Sequence, residues 1–88
     1  MSQAKYIIIE SGPFLLPVVF SELQTHADVA RALSGGGQPS VVGAGFCHID
    51  DDRYVCYGES VSLKVKSRGD EDSKLLNSYL GGEVDILV

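Results

Sequence analysis

The sequence predicts an α+β domain: a mainly antiparallel sheet with two short helices, in the order β-β-α-β-β-β-α-β. Three observations carry this prediction. Runs rich in β-branched and aromatic residues at 6–9, 14–19, 41–49, 53–57 and 60–66 are separated mostly by links of hairpin length. Two segments, 25–33 and the one that Ser67-Arg68-Gly69-Asp70 opens and Gly81-Gly82 ends, space their apolar residues as a helix does, behind residues that favour a helix start. Strands joined by short links pair antiparallel, and the helices are expected together on one face of the sheet.

The first strand is Tyr6-Ile7-Ile8-Ile9, and Glu10-Ser11-Gly12-Pro13 is the turn after it. Phe14 to Val19 returns as the second strand. Pro17 has no N–H to donate, so this strand belongs at an edge or carries a bulge. Ser21-Glu22-Leu23-Gln24 has capping-box form, and Thr25-His26-Ala27-Asp28 approaches it. A helix is predicted from Thr25 to Leu33, preceded by a single turn, with Leu23, Ala27, Ala30 and Leu33 on its apolar face. Ser34-Gly35-Gly36-Gly37-Gln38-Pro39 is a connector too short to separate domains, so residues 1–88 form a single domain.

Val41 to Ile49 and Arg53 to Tyr57 flank Asp50-Asp51-Asp52 as a second hairpin. A two-residue loop of Asp51-Asp52 sets Cys47 opposite Cys56. A three-residue loop sets Cys47 opposite Val55 and sends the two thiols to different faces. Ser60 to Lys66 alternates, with Val61, Leu63 and Val65 on one side and Ser60, Ser62, Lys64 and Lys66 on the other, which predicts a half-buried strand. Glycines 43 and 45 in a strand mark close backbone approach, as beneath a helix. Ser67-Arg68-Gly69-Asp70 opens the second helix, with Asp70, Glu71 and Asp72 at its positive end and Leu75, Leu76, Tyr79 and Leu80 as its apolar side. Gly81-Gly82 ends it, and Glu83 to Val88 is predicted as a last short strand.

The chain has 88 residues, and a domain of that length buries roughly 60–65% of the surface its unfolded chain exposes, so its stability margin is thin. Its net charge is -5. Residues 50–88 hold most of that excess, and an acidic surface disfavours direct contact with nucleic acid. The start leads into only four apolar residues before Glu10, unlike a secretory leader, and the run from Phe14 to Phe20 is far below the ~20 residues of a membrane span. Two cysteines are too few for a disulfide framework, so reduced thiols and the cytoplasm are expected.

Reactive-looking residues are present, but their spacing does not assemble a site. Cys47, His48, Cys56 and His26 contain no paired-ligand motif, and Cys47 and His48 as strand neighbours point to opposite faces. Gly58-Glu59-Ser60-Val61-Ser62 nearly spells a nucleophile elbow. Its fifth residue is serine, however, and the residues beyond it alternate like a strand, so Ser60 and Ser62 are read as the solvent side of that strand. Gly43-Ala44-Gly45 lacks the rest of a dinucleotide loop, and Gly35-Gly36-Gly37 has no lysine after it. Asp50-Asp51-Asp52 lacks the glycine and distal glutamate of a calcium loop. No catalytic residue, metal ligand or cofactor-binding residue is assigned, and the protein is expected not to be an enzyme.

Several pieces nevertheless carry a resemblance. Lys5-Tyr6-Ile7-Ile8, Thr25 to Arg31, Gly43-Ala44-Gly45-Phe46, Tyr57 to Leu63 and Ser67-Arg68 together resemble small uncharacterised proteins encoded by tailed phages and prophages. The resemblance implies an origin, a size class and work inside an infected bacterial cell, and it brings no catalytic residue with it.

The function expected on these grounds is that of an accessory protein that docks on another protein. The Pro-bearing edge strand or the C-terminal tail would add to a partner or to a second copy. The alternative is an acidic inhibitor whose Asp50–Asp52 and Asp70–Asp72 clusters occupy a nucleic-acid-binding surface; it requires both clusters on one surface. A hydrolase using Ser60 would require His26 or His48 within hydrogen-bond reach.

Overall fold

A computed structural model of the chain describes residues 3–33 and 40–80. β1 (Ala4–Ser11) and β2 (Phe14–Phe20) form the first hairpin, followed by α1 (His26–Leu33). β3 (Val41–Asp50) and β4 (Arg53–Tyr57) form the second hairpin. β5 (Glu59–Ser60) and β6 (Val65–Lys66) make a small separate ladder, and α2 is Asp70–Leu80. The main sheet is antiparallel throughout, in the order β2-β1-β3-β4. The α+β class, the antiparallel sheet and the succession of elements through α2 are as predicted, with the strand predicted at 60–66 divided into β5 and β6. The connector at 34–39, the Gly81-Gly82 stop and the last strand at 83–88 lie outside the described residues.

The turns are set by their residues. Gly12 takes φ +59° at the first position of a two-residue loop, where only glycine is at ease, and Pro13 supplies the second. Asp51 and Asp52 sit at φ +54° and +65°, so the second hairpin has the two-residue loop, and Cys47 stands opposite Cys56. Aspartate tolerates the left-handed region better than most side chains, which is why an Asp pair can make this turn.

The two helices do not share a face. Tyr6 and Ile8 pack with Cys47, Cys56 and Leu76 of α2 on one side of the sheet. Ile7 packs with Ala30 of α1 and Ala44 on the other, beside Leu63 and Val65 from the β5–β6 unit. The prediction of helices on one face is therefore corrected. The cause is visible in β1, whose apolar residues are consecutive rather than alternating, the pattern of a strand buried on both sides. Tyr6, Ile7 and Ile8 are fully buried, and burying side chains of this size stabilises by about 1.5–3 kcal/mol each.

Two further expectations change. The stretch 60–66 is not one half-buried strand: β5 and β6 pair with each other across the turn 61–64, where Lys64 adopts φ +59°. Ser60 is fully buried and Val61 is 80% exposed, the reverse of the predicted sides, because the Ser60 hydroxyl accepts the Leu63 N–H at 3.1 Å and serves the turn. In α1 the inward residues are His26, Val29 and Ala30, while Leu23 is 94% exposed and precedes the helix. Of the predicted apolar face Ala30 is fully buried but Leu33 is 53% exposed, and His26 takes the buried place one turn before Ala30. Thr25 caps the helix through a 3.1 Å bond from Asp28 N–H, after a single turn at Ser21.

The register also fixes which main-chain groups point outward. Ser11 and Phe14 close the first hairpin as a hydrogen-bonded pair, so Phe14, Leu16, Val18 and Phe20 turn their N–H groups toward β1. Leu15, Pro17 and Val19 face away from it. On the far side of β1, the 2.8 Å bond from Glu10 N–H to Ser40 C=O keeps the same alternation. Pro17 thus lies at an outward position of an edge strand, where its missing N–H costs the sheet nothing. By the same alternation Cys47 and Cys56 are a non-hydrogen-bonded pair, with the Cys56 N–H pointing off the sheet.

Candidate functional site

Ser60 is not aligned for nucleophilic chemistry. Its hydroxyl is buried in the β5–β6 turn, 3.4 Å from the Ser62 hydroxyl. Ser62 in turn accepts the Ala27 N–H at 3.2 Å and caps the start of α1. His26 Nε2 lies 2.8 Å from the Gly45 carbonyl, which can only accept, so that nitrogen carries the proton. The ring stands edge-on to Phe20 and Phe46, with centroids 5.5 and 5.9 Å away. Burial lowers the His26 pKa, partly opposed by the bond to Gly45. His48 lies beside Tyr57 on the same face of the sheet. Among the described residues, no hydrogen bond joins either imidazole to Ser60. His26 and Ser62 do line one shallow cleft of about 350 Å³, with Lys5 and Phe46.

Cys47 and Cys56 come together, but inside the core between the sheet and α2, as free thiols. Burial pushes the Cys47 thiol up to about 11 and the Cys56 thiol up to about 12. His48 faces the opposite side, as strand geometry requires. Among the described residues no group of three or more His, Cys, Asp or Glu is placed to hold a metal ion.

The carboxylates divide. Asp50, Asp51 and Asp70 border one shallow cleft, together with Arg53 and Lys74. Asp72 is fully buried beneath the sheet and has a different task. It accepts the Tyr6 hydroxyl at 2.5 Å, the Arg68 N–H at 2.9 Å and Arg68 Nε at 2.8 Å. Tyr6 also reaches Ser67 at 2.7 Å, and burial with the Asp72 contact raises its pKa. A Cβ at Gly43 would overlap the Asp72 carboxylate, so this glycine makes the close approach beneath a helix that its position in the strand predicts. The acidic clusters therefore share one area only in part, and basic side chains interrupt what remains.

The sharpest feature is the unequal treatment of the two sheet edges. β4 is sealed by α2. Asn77 Oδ1 accepts the Tyr54 N–H at 2.7 Å and Asn77 Nδ2 donates to the Tyr54 carbonyl at 3.0 Å, so one side chain imitates a neighbouring strand. Ser73 Oγ accepts the Cys56 N–H at 2.9 Å. β2 has no such cover among the described residues: the outward N–H groups of Leu15 and Val19 meet no partner there. Beside them Phe14 is 61% and Leu16 44% exposed. Residues 14–20 contain no charged side chain, one usual defence of an edge, and carry only another, a proline at position 17.

The sequence pointed to the edge through Pro17, but not to its counterpart. Asn77 and Ser73 are four residues apart on a helix, a spacing that puts them on one face, and Arg68 and Asp72 share the same spacing. That repeat was the signal for the polar contacts of α2. Among the described residues no helix is long and apolar enough to cross a membrane. No protein-family model, no curated protein and no solved structure matches this chain.

Proposed function

We propose that this protein is a non-enzymatic interaction protein that works by adding a strand of another chain to the outer edge of β2. One observation carries the reading: α2 closes one edge of the sheet with dedicated side chains, while the other keeps outward N–H groups beside exposed apolar residues. Strand addition uses main-chain bonds for affinity and alternate side chains for selection. On the resemblance carried by its sequence pieces, the protein is a phage or prophage accessory protein acting in the cytoplasm of the bacterial host. Its unpaired thiols support that compartment.

The test is affinity capture from bacterial lysate with the wild-type chain and with Leu16→Lys, a substitution at an exposed edge position. A protein retained by the wild type and lost from the variant, with unchanged circular dichroism, is the expected result. Equal retention by both would rule out β2 as the docking edge.

A further inference from the structure

We infer that the chain occupying the β2 edge is a second copy of this protein, paired antiparallel about Pro17. The inference rests on the strand-addition reading and names its partner. Read outward from Pro17, the strand Phe14-Leu15-Leu16-Pro17-Val18-Val19-Phe20 has the same apolar character in both directions. A twofold axis at Pro17 sets Phe14 against Phe20 of the second copy, Leu15 against Val19 and Leu16 against Val18. An interface of this kind must be complementary to itself, and this strand is.

The main chain selects the same register. With Leu15, Pro17 and Val19 pointing outward, the Leu15 N–H meets the Val19 carbonyl of the second copy, and the Val19 N–H meets its Leu15 carbonyl. The prolines fall opposite each other at the axis, where the missing donors coincide and the two rings part the strands locally, so the bonds are made at Leu15 and Val19 on either side. Shifting by one hydrogen-bonded step in either direction sets Pro17 opposite a residue that needs its N–H, and the bonded pairs around the axis are broken. Pro17 therefore acts as a register pin.

Side chains and charge agree. Phe14 and Leu16, the exposed apolar residues of β2, lie on the face where the pairs are not hydrogen-bonded and side chains approach most closely. The molecule carries a net charge of -5, yet residues 11–21 contain no charged side chain. Two acidic molecules can thus meet along this edge without opposing like charges across the strand pair. The product is one continuous sheet built from two copies, with β4 and its α2 seal at each outer end.

The test is sedimentation equilibrium of the full-length wild type, of Leu16→Lys and of Leu16→Glu, alone and mixed. Residue 16 of each copy lies diagonally across the axis from its equivalent, within reach of long side chains. The wild type is expected at twice the 9.4 kDa chain mass, each variant alone at the single-chain mass, and the mixture as a heterodimer. In the wild-type dimer the Leu15 and Val19 amides are expected to be protected from hydrogen exchange. A wild type at single-chain mass across the accessible concentrations overturns the inference, as does a dimer that both variants preserve. If a monomeric wild type still captures a protein that Leu16→Lys loses, the second copy is wrong and the strand-addition reading stands. If a monomer protects Leu15 and Val19 unaided, another segment of the same chain covers the edge, and both readings fall.

Discussion

The two edges of this sheet solve the same physical problem in opposite ways. An edge strand leaves a row of N–H and C=O groups that water or another chain must satisfy. At β4, Asn77 and Ser73 satisfy Tyr54 and Cys56 from within the molecule, anchored by a helix whose first turn is fixed through Asp72. At β2, the only feature limiting pairing among the described residues is Pro17. The difference teaches that the exposed edge is not a product of small size, since the same chain commits several polar side chains to closing the other one. Leaving β2 open is a property of the sequence.

Substitutions can break the contrast or sharpen it, and the largest effect belongs to the sealed side. Asp72→Ala removes the acceptor shared by Tyr6 and Arg68 and leaves a largely buried guanidinium without its carboxylate. It should destabilise by about 3–5 kcal/mol in urea unfolding, the range for breaking one side of a buried ion pair. Asn77→Ala unseals β4 by stripping both main-chain bonds from Tyr54, at a cost of about 2 kcal/mol. It should also make the protein associate through a second edge, seen as larger species in sedimentation. If Asn77→Ala changes neither stability nor association, the seal is not a seal.

The two faces should respond to opposite ends of the pH scale. On the α1 face, burial depresses the His26 pKa below 6.5, so the unfolded chain takes up a proton there before the folded one does. Stability is then complete above about pH 6.5 and falls as the pH drops below it, and His26→Gln should flatten this acid limb in melting curves. On the α2 face, the Cys47 and Cys56 thiols ionise near 9 when unfolded but only near 11 and 12 when folded. Stability is complete below about pH 9 and falls as the pH rises through the higher values, a limb that Cys56→Ala should weaken and Tyr6, also raised, should partly retain. The smallest effect belongs to β2: Leu16→Lys should leave the stability of the single chain within about 0.5 kcal/mol while abolishing association.

Much of this fold was legible from local chemistry. Gly12-Pro13 and the aspartate run fixed two hairpins, and Pro17 marked an edge strand. What escaped depended on tertiary partners. Tyr6 to Ile9 announced burial on both faces through its unbroken apolar run, yet hairpin connectivity alone could not say where each helix would lie. Ser60 to Lys66 alternates convincingly, but alternation assigns hydroxyls to solvent only when nothing inside needs them, and here Leu63 and Ala27 do. Asp72 lay in an acidic run that reads as a solvated helix start. Its burial required Tyr6, Arg68 and the space at Gly43, residues remote from one another in the chain. Asn77 looked like an ordinary polar helix position for the same reason.

Native-state hydrogen exchange on Leu16→Lys, kept as a single chain, tests the unequal edges most directly. The account predicts slow exchange at Tyr54 and Cys56 and near-free exchange at Leu15 and Val19. Equal protection at all four amides would contradict it.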